Sequence, residues 1–258
     1  MADVLQIAEL SAQPALVHGF STLSLGSMRG GRDGRWLTPE RRRFARSLGL
    51  DPERLTVAGA VHGAAVARVD EPAGVVRGVD AMVTDRPDLP LLLTFADCYP
   101  VVLFDPRRPA LAVAHAGWRG TAAGVVRAAV EALEREYGSR PADLVAGLGP
   151  GVCGRCYTVG AEVAARFDSA CVRRRGDGYL LDLAAANRRQ LEAAGVVRER
   201  IHELGACTME SLELASHRRR PDGTRGACVA ALRCPGVATG RRARVEPGDD
   251  PTDGGDQG

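Results

Sequence analysis

Aromatic side chains are scarce in this sequence. They make up 4% of the 258 residues, although 45% of the residues are hydrophobic. The apolar side chains are therefore mainly alanine, valine and leucine, which suit packed layers of helices and sheets. A platform that binds single-stranded nucleic acid by stacking needs more aromatic rings than this.

The sequence also lacks an excess of charge of either sign. Its 34 basic and 32 acidic residues give a formal net charge of +2. This balance gives no electrostatic reason to expect a nucleic-acid or membrane partner. We interpret the basic run at residues 41–46 as a solvated helix face.

Neither a membrane span nor a secretory signal is present in the pattern of apolar residues. The most apolar stretch, residues 89–104, is shorter than the ~20 residues of a membrane helix, and Asp97 and Pro100 interrupt it. The first ten residues carry no basic leader and no cleavage pattern. We therefore expect a cytoplasmic protein. Its seven cysteines, an odd number at irregular spacings, favour free thiols or metal ligands over a disulfide framework.

Hydrophobic periodicity predicts a mixture of helices and strands without strict alternation. Helices are expected at 38–48 with Thr38 as a cap, after Gly120 through Leu133, at about 159–167, and from about Asp182 to Ala194; strands are expected within 55–69, three times within 90–115, and at 143–148. From residue 235 onward the chain is rich in glycine, proline and aspartate, which predicts a disordered tail after one domain at 1–234.

Three potential metal ligands follow apolar, strand-like runs. They are His62, Cys98 and His115. Ends of neighbouring strands converge in space, and two imidazoles with one thiolate leave a fourth tetrahedral position open, as in catalytic zinc sites. Their spacing matches no zinc finger, so ordinary packing of a buried His and Cys stays open beside the metal hypothesis.

Charged residues near these positions suggest further roles. Asp97 is a candidate for hydrogen bonding to a ligand imidazole or for proton transfer, or is a turn residue. Arg119 lies in HAGWRGTAAG, where glycines and a helix start could approach an anion. Arg218 and Arg219 could bind phosphate or belong to a surface loop.

Two further cysteines have CxxC spacing. Cys153 and Cys156 lie in GVCGRCY, and no second CxxC completes a four-thiolate site. We interpret this pair as structural residues of the loop after GLGPG. Cys207 lies apart, at CTMES.

Several segments together resemble the YfiH or laccase-domain family, also described as purine nucleoside phosphorylases and formerly as multicopper polyphenol oxidases. The matching pieces span about 17–230: HGFST at 18–22, VHG at 61–63, DAMVT at 80–84, ADCYPVVLFD at 96–105, AVAHAGWRGTAAGV at 112–125, GPGV and CYTVGAEV within 149–163, LDLAAANRRQL at 181–191, and CT at 207–208. ADC followed by HAGWRG is a specific signal.

The resemblance implies a single-domain α+β fold, a four-layer α/β/β/α sandwich with helices outside two packed sheets. It implies zinc held by His62, Cys98 and His115, and phosphorolysis of adenosine, inosine or guanosine to the base and ribose 1-phosphate. Adenosine deamination, methylthioadenosine cleavage and peptidoglycan editing are related family roles. The expected partners are a purine nucleoside and phosphate, and the expected state is a monomer or homodimer.

The sequence departs from the family pattern in two places. Leu23 follows HGFST where members commonly have Arg, and the next segment is shortened. His217 stands where Tyr is expected, and SHRRRPDGTRG carries an extra Arg-Pro pair. These departures bear on substrate range and phosphate handling more than on the metal site.

Three alternative functions remain open from the sequence. A cysteine hydrolase would use Cys98 as nucleophile with a histidine as base. A copper oxidase would use the His2Cys set, although five histidines in all are few for a multicopper cluster. A non-catalytic, zinc-stabilised protein of envelope metabolism is the third.

Overall fold

A computed structural model describes residues 2–31 and 33–233. The chain forms a mixed α+β single domain. The predicted tail at 235–258 lies outside the described residues.

The described part contains fifteen strands and six α-helices. The strands are β1 (Val4–Leu5), β2 (Leu16–Ser21), β3 (Thr56–Gly59), β4 (Val66–Arg68), β5 (Gly74–Arg77), β6 (Ala81–Thr84), β7 (Leu91–Phe95), β8 (Tyr99–Asp105), β9 (Ala110–Ala116), β10 (Val145–Leu148), β11 (Thr158–Val159), β12 (Val172–Arg175), β13 (Gly178–Leu181), β14 (Ile201–Glu203) and β15 (Gly226–Leu232). The helices are α1 (Ala8–Ser11), α2 (Pro39–Ser47), α3 (Trp118–Ala122), α4 (Val125–Tyr137), α5 (Ala161–Ala164) and α6 (Leu183–Ala193).

Most strands belong to two six-stranded sheets. The first sheet has the order β1-β2-β15-β7-β3-β5, and the second has the order β14-β10-β8-β9-β6-β4. The strands β11, β13 and β12 form a small third sheet. The chain passes from the first large sheet to the second three times, between β3 and β4, between β5 and β6, and between β7 and β8.

Side-chain alternation explains why these strands are buried on both faces. Along β8, Val101 and Leu103 enter one core cluster, whereas Val102 and Phe104 enter another. Successive side chains of a strand point to opposite faces, so a continuous apolar run serves two cores at once. One cluster contains side chains from both large sheets, a second joins the second sheet to α4 and α6, and a third joins the first sheet to α2.

Helix α2 has the start that the sequence predicts. The Thr38 side chain accepts a hydrogen bond from the Arg41 amide at 3.4 Å, and Pro39 occupies the first turn. The expectation of a wholly solvated basic face is wrong at Arg41, which is 5% exposed. Its Nε donates to the Met28 carbonyl at 2.9 Å, and burial lowers its pKa to about 10. The guanidinium thus satisfies carbonyls of the preceding loop.

The helix expected after Gly120 is divided in two. α3 begins at Trp118, and Gly124 interrupts the backbone in a left-handed conformation (φ 84°) before α4 begins. Only glycine adopts this conformation readily, which explains the break. The helix expected at about 159–167 is also shorter, since only Ala161–Ala164 is helical.

The other predicted elements are confirmed. Strands lie at each of the three places expected within 90–115 and twice within 55–69. Asp182 caps α6, and its side chain accepts a hydrogen bond from the Ala185 amide at 2.9 Å. Over the described ranges, every helix is too short or too polar to traverse a lipid bilayer.

Candidate functional site

The register of the second sheet brings Cys98 and His115 together. Pro100 of β8 pairs with His115 of β9, and Cys98 lies two residues before Pro100, at the entrance to β8. His115 is 4% exposed. The antiparallel pairing therefore fixes the thiol beside the imidazole, although 17 positions separate them in the sequence.

Asp80 joins His115 to the loop that carries His62. It directly precedes β6, the next strand beyond β9, and its main-chain carbonyl accepts a hydrogen bond from the His115 amide at 2.7 Å. Its Oδ1 lies 3.0 Å from His115 Nδ1 and accepts from the His62 amide at 2.9 Å. Oδ2 accepts from the amides of Val61 and Gly63 at 3.1 and 2.7 Å. One buried carboxylate thus orients both imidazole-bearing segments.

The three donor groups converge. One nitrogen of each imidazole and the Cys98 Sγ lie within 4.8 Å of one another, and the two imidazole centroids are 5.0 Å apart. His62 has a positive φ of 62°, an uncommon conformation for a residue with a side chain. The Asp80 hydrogen bonds hold the loop in that conformation. The structure therefore brings together His62, Cys98 and His115.

Gly117 makes room for the thiol. A Cβ at this position would lie 2.7 Å from Cys98 Sγ and 3.3 Å from His62 Cδ2. Its φ of −81° is accessible to any residue, so space and not backbone conformation requires glycine here.

Electrostatics favour charged forms of this group. Burial raises the pKa of Cys98, but hydrogen bonds from His115 and His62 outweigh it, and the pKa is lowered to about 6. Burial lowers the pKa of His115, but Asp80 and Cys98 outweigh it, and the pKa is raised to about 9. Burial likewise raises the pKa of Asp80, whereas His115 and the loop amides bring it below its ordinary value. The thiolate is the form that binds metal ions.

The cluster opens on a cavity of about 600 Å³. The aromatic residues Phe95, Trp118 and Tyr157 line it, together with the arginines Arg119, Arg218 and Arg225. Arg119 lies 4.5 Å from the Trp118 ring centroid, and Arg218 lies 4.5 Å from that of Tyr157. Among the residues that the structure describes, none of the three arginines forms an ion pair with a carboxylate. Flat apolar surfaces and unneutralised cations therefore face the same space.

Asp97 has a different set of partners from the one expected. Its Oδ1 accepts from Thr208 Oγ1 at 2.7 Å, and its Oδ2 accepts from the Arg218 amide at 2.9 Å. The hydrogen bond to an imidazole that we expected of Asp97 is made by Asp80, because Asp80 directly precedes β6, the strand that pairs with β9. Asp97 itself has a positive φ of 80° and lines the cavity.

The arginines of the SHRRRPDGTR segment separate into two groups. Arg218 lines the cavity, whereas Arg219 donates to the main-chain carbonyls of Ser211 at 2.6 Å and Leu214 at 2.5 Å. Arg219 thus holds its own loop together and is not free for phosphate. His217 lines the cavity, while Leu23 donates its amide to the Glu213 carbonyl at 2.8 Å.

Three residues of the site escaped the sequence analysis. Asp80 was visible as the acidic start of an apolar strand, but its partners are set by sheet order. Gly117 stood among several glycines, and nothing in the sequence marks the close approach of Cys98. Arg225 lies far along the chain, at the entrance to β15.

The CxxC pair gains partners from a distant segment. Cys153 Sγ, Cys156 Sγ, Cys207 Sγ and a Glu210 oxygen all lie within 4.8 Å of one another. The four residues line a region separate from the first donor cluster, and Cys153 and Cys207 face another cavity, of about 430 Å³. Their interpretation as loop residues therefore omitted two neighbours.

The remaining histidines do not join either cluster. His18 is fully buried in β2 and accepts a hydrogen bond from the Ile7 amide at 2.9 Å. His202 lies on β14, 3.7 Å from a Glu9 oxygen. In the described ranges, the first cluster therefore contains two imidazoles, with His217 elsewhere on the cavity wall.

Comparison with known proteins identifies relatives over nearly the whole described chain. A family model described as multi-copper polyphenol oxidoreductase laccase matches residues 17–234. A protein named purine nucleoside phosphorylase SCO2081, from Streptomyces coelicolor, is 44% identical over 206 residues, which are 78% of this chain and 84% of the relative.

Two further relatives carry informative names. Purine nucleoside phosphorylase YlmD of Geobacillus stearothermophilus is 34% identical over 83% of this chain and 84% of its own length. The crystal structure of this YlmD matches with a TM-score of 0.81, covering 91% of this chain and all of that one at 29% identity. A protein named adenosine deaminase RL5, from an unknown prokaryotic organism, is 36% identical over 64% of this chain and 69% of its own length.

Proposed function

Because this chain belongs to the family described as multi-copper polyphenol oxidoreductase laccase, which confirms its resemblance to the laccase-domain proteins, we propose that it is a zinc-dependent purine nucleoside phosphorylase. The observation that carries the proposal is the cluster of His62, Cys98 and His115 at the wall of a cavity that combines aromatic rings with arginines free of carboxylates. The names of its relatives agree with this activity.

The donor set fits a catalytic zinc ion. Two imidazoles and one thiolate provide three ligands and leave a position for water or substrate. Asp80 accepts the proton of His115 Nδ1, which leaves Nε2 free to bind the ion. A bound zinc ion would supply Lewis-acid polarisation of an oxygen at this position.

The other cavity residues suit the two substrates. Trp118, which is partly exposed on the cavity wall, offers an aromatic surface on which a purine can stack. Arg119, Arg218 and Arg225 provide planar donors for phosphate oxygens. In the reaction a phosphate oxygen forms a bond to ribose C1′ as the bond from C1′ to the purine nitrogen breaks. The proton that hydrogen phosphate gives up goes to the departing base, and ribose 1-phosphate is the second product.

The charges of the cavity favour phosphorolysis over adenosine deamination. Deamination needs an acid that gives a proton to the departing ammonia. Asp97 is the sole carboxylic acid among the described residues of the cavity wall, and both of its oxygens already accept hydrogen bonds. The positive charges of the three arginines instead favour binding of an anionic co-substrate. Deamination, the activity in the name of one relative, is the second candidate.

Copper oxidation and cysteine hydrolysis fit the site less well. A multicopper centre needs more imidazoles than the two that join Cys98 within the described chain. A hydrolase nucleophile would have to be free of metal, yet Cys98 lies between two imidazoles in a ligand arrangement.

We propose, in addition, a four-layer arrangement for residues 1–234. The three core clusters support it, since one joins the two large sheets and the others join each sheet to helices. His62 and Cys98 would then lie where the chain crosses between the inner layers, and His115 on the adjoining strand β9.

The direct test is product analysis of the purified protein by chromatography. Inosine, adenosine and methylthioadenosine are incubated separately, with and without phosphate. We expect release of the free base that depends on phosphate and is lost in Cys98→Ser and in protein treated with a chelator. Zinc, but not copper, should restore the activity of the chelated protein.

Each other function gives a distinct result. Inosine formed from adenosine without phosphate indicates deamination. Activity that survives complete metal removal but not alkylation of Cys98 indicates the cysteine hydrolase. Oxidation of a phenol by copper-loaded protein alone indicates the oxidase. No conversion of any nucleoside by folded, zinc-loaded protein contradicts the proposal and favours a non-catalytic role.

A further inference from the structure

The second group of donors is assembled from two segments of the chain. Cys153 and Cys156 lie in the loop between β10 and β11, and Cys207 and Glu210 lie between β14 and β15. Cys153 and Cys207 are 54 positions apart in the sequence. Three thiols and one carboxylate therefore converge at a place where the first cluster has no residues.

Two sulfur–oxygen distances among the donors match the edge of a tetrahedral zinc site. Glu210 Oε1 lies 3.6 Å from Cys153 Sγ and 3.4 Å from Cys156 Sγ. With zinc–sulfur and zinc–oxygen distances of about 2.3 and 2.0 Å, the sulfur–oxygen edge of a tetrahedron is about 3.5 Å. These side chains therefore need little movement to enclose an ion.

A backbone amide orients the most buried thiol. The Cys153 amide donates to Cys207 Sγ at 3.4 Å. Hydrogen bonds of this kind fix and stabilise a ligand from behind. Cys207 is further fixed by an isolated parallel bridge to Gly151.

We propose that Cys153, Cys156, Cys207 and Glu210 bind a structural Zn²⁺ ion, separate from the proposed catalytic centre. Four protein ligands close the coordination sphere, which is the arrangement of structural zinc sites. Three thiolates select a soft ion over Mg²⁺ or Ca²⁺. Arg155, 3.1 Å from Glu210 Oε2, offsets part of the negative charge that the four ligands leave on the complex.

The position of this ion gives it a role in the first site. The Val152 amide donates to the Asp97 carbonyl at 2.9 Å, and Thr208 Oγ1 donates to Asp97 Oδ1 at 2.7 Å. Val152 and Thr208 each adjoin a cysteine of the second group. An ion that ties the two segments together would hold the cavity wall around Asp97. This inference does not depend on which reaction the cavity catalyses.

The same thiols could instead be joined by a disulfide. The six cysteines that the structure describes are all free. Zinc binding and a disulfide exclude one another, since the ion needs thiolates. Intact-mass analysis with and without a reductant therefore separates the two states.

The experiment is a zinc count on full-length protein, purified under reducing conditions and dialysed, by inductively coupled plasma mass spectrometry. We expect two zinc ions per chain in the unaltered protein and loss of one in Cys156→Ser. A His62→Ala, Cys98→Ser double variant should retain one ion, and combining all three substitutions should leave none. Cys171→Ala is the matched control: Cys171 is buried beside the same cavity but outside the donor group, so both ions should remain.

Further measurements distinguish the loss of a zinc ligand from misfolding of the variant. Circular dichroism checks each variant, and Cys156→His, which restores a zinc ligand, should recover the second ion. In the unaltered protein, a chelator should make four more thiols react rapidly with an alkylating agent. One of them is Cys98, and the other three are Cys153, Cys156 and Cys207.

Two results would overturn the proposal. One is a folded Cys156→Ser variant that holds as much zinc as the unaltered protein. The other is a disulfide among the three cysteines in freshly isolated protein. If only the double variant loses zinc, the catalytic site is supported and the structural site is contradicted. If only Cys156→Ser loses zinc, the structural site is supported and the catalytic site is contradicted.

Discussion

Replacing Gly117 with alanine should disable the first donor cluster without unfolding the protein. The added Cβ would lie 2.7 Å from Cys98 Sγ, whereas unstrained contacts begin near 3.5 Å. The thiol must therefore move by about 0.8 Å, which exceeds the tolerance of about 0.2 Å for a metal–ligand distance. The new methyl group would also lie 3.3 Å from His62 Cδ2, so it crowds a second residue of the cluster.

The expected size of the effect follows from this displacement. Substitutions that only disturb the support of a ligand weaken metal binding about 10- to 100-fold. Because Gly117→Ala displaces a ligand itself, we expect at least this loss, about 1.4–2.8 kcal/mol of zinc-binding free energy. Competition with a chromophoric chelator measures the dissociation constant.

Gly63→Ala is the matched control. A Cβ there would meet Asp80 Oδ2 at 3.6 Å and Val61 Cγ2 at 3.7 Å, which are ordinary contacts. This variant should bind zinc within a fewfold of the unaltered protein. If Gly117→Ala binds zinc as tightly as Gly63→Ala, with both folded by circular dichroism, the inferred approach of the thiol and the metal site built on it are wrong.

Three other predictions concern Asp80, His18 and Arg218. Asp80→Asn removes the charge that holds His115, so zinc affinity should fall about 10- to 100-fold in the same chelator assay; unchanged affinity would contradict the role of Asp80. Burial of His18 lowers its pKa from 6.5 to about 4, so the unfolded chain binds the extra proton and the protein loses about 3 kcal/mol of stability as the pH falls through that interval. In urea unfolding from pH 7 to 4, His18→Gln should lose less stability than the unaltered protein by about this amount, and equal losses would refute the assignment. Arg218→Gln should raise KM for phosphate about tenfold or more, whereas Arg220→Gln, whose guanidinium pairs with a carboxylate outside the cavity, should leave it unchanged; equal KM values would exclude Arg218 from phosphate binding.

Local patterns allowed much of the fold to be predicted from the sequence. The capped start of α2, the amphipathic α4 and the three strands within 90–115 follow from rules that involve neighbouring residues. The exceptions also have local causes, such as the left-handed Gly124 that separates α3 from α4. The burial of Arg41 could not be foreseen, because its partners lie in the preceding loop.

The site was predictable only in its ligand types. His62, Cys98 and His115 could be nominated because each follows an apolar run, yet their convergence depends on the order β8-β9-β6-β4. The same strand order places Asp80, and not Asp97, beside the His115 imidazole. The convergence of Cys207 on the CxxC loop needs a contact between segments 54 positions apart, for which periodicity carries no information.

The most direct test of the proposed activity is phosphorus NMR of a mixture of zinc-loaded protein, inosine and inorganic phosphate. The resonance of inorganic phosphate should decline while that of ribose 1-phosphate grows in equal amount to the hypoxanthine released. If the protein carries zinc on His62, Cys98 and His115 and the phosphate resonance stays constant while inosine is consumed, the cavity does not perform phosphorolysis, and the function assigned to its arginines is wrong.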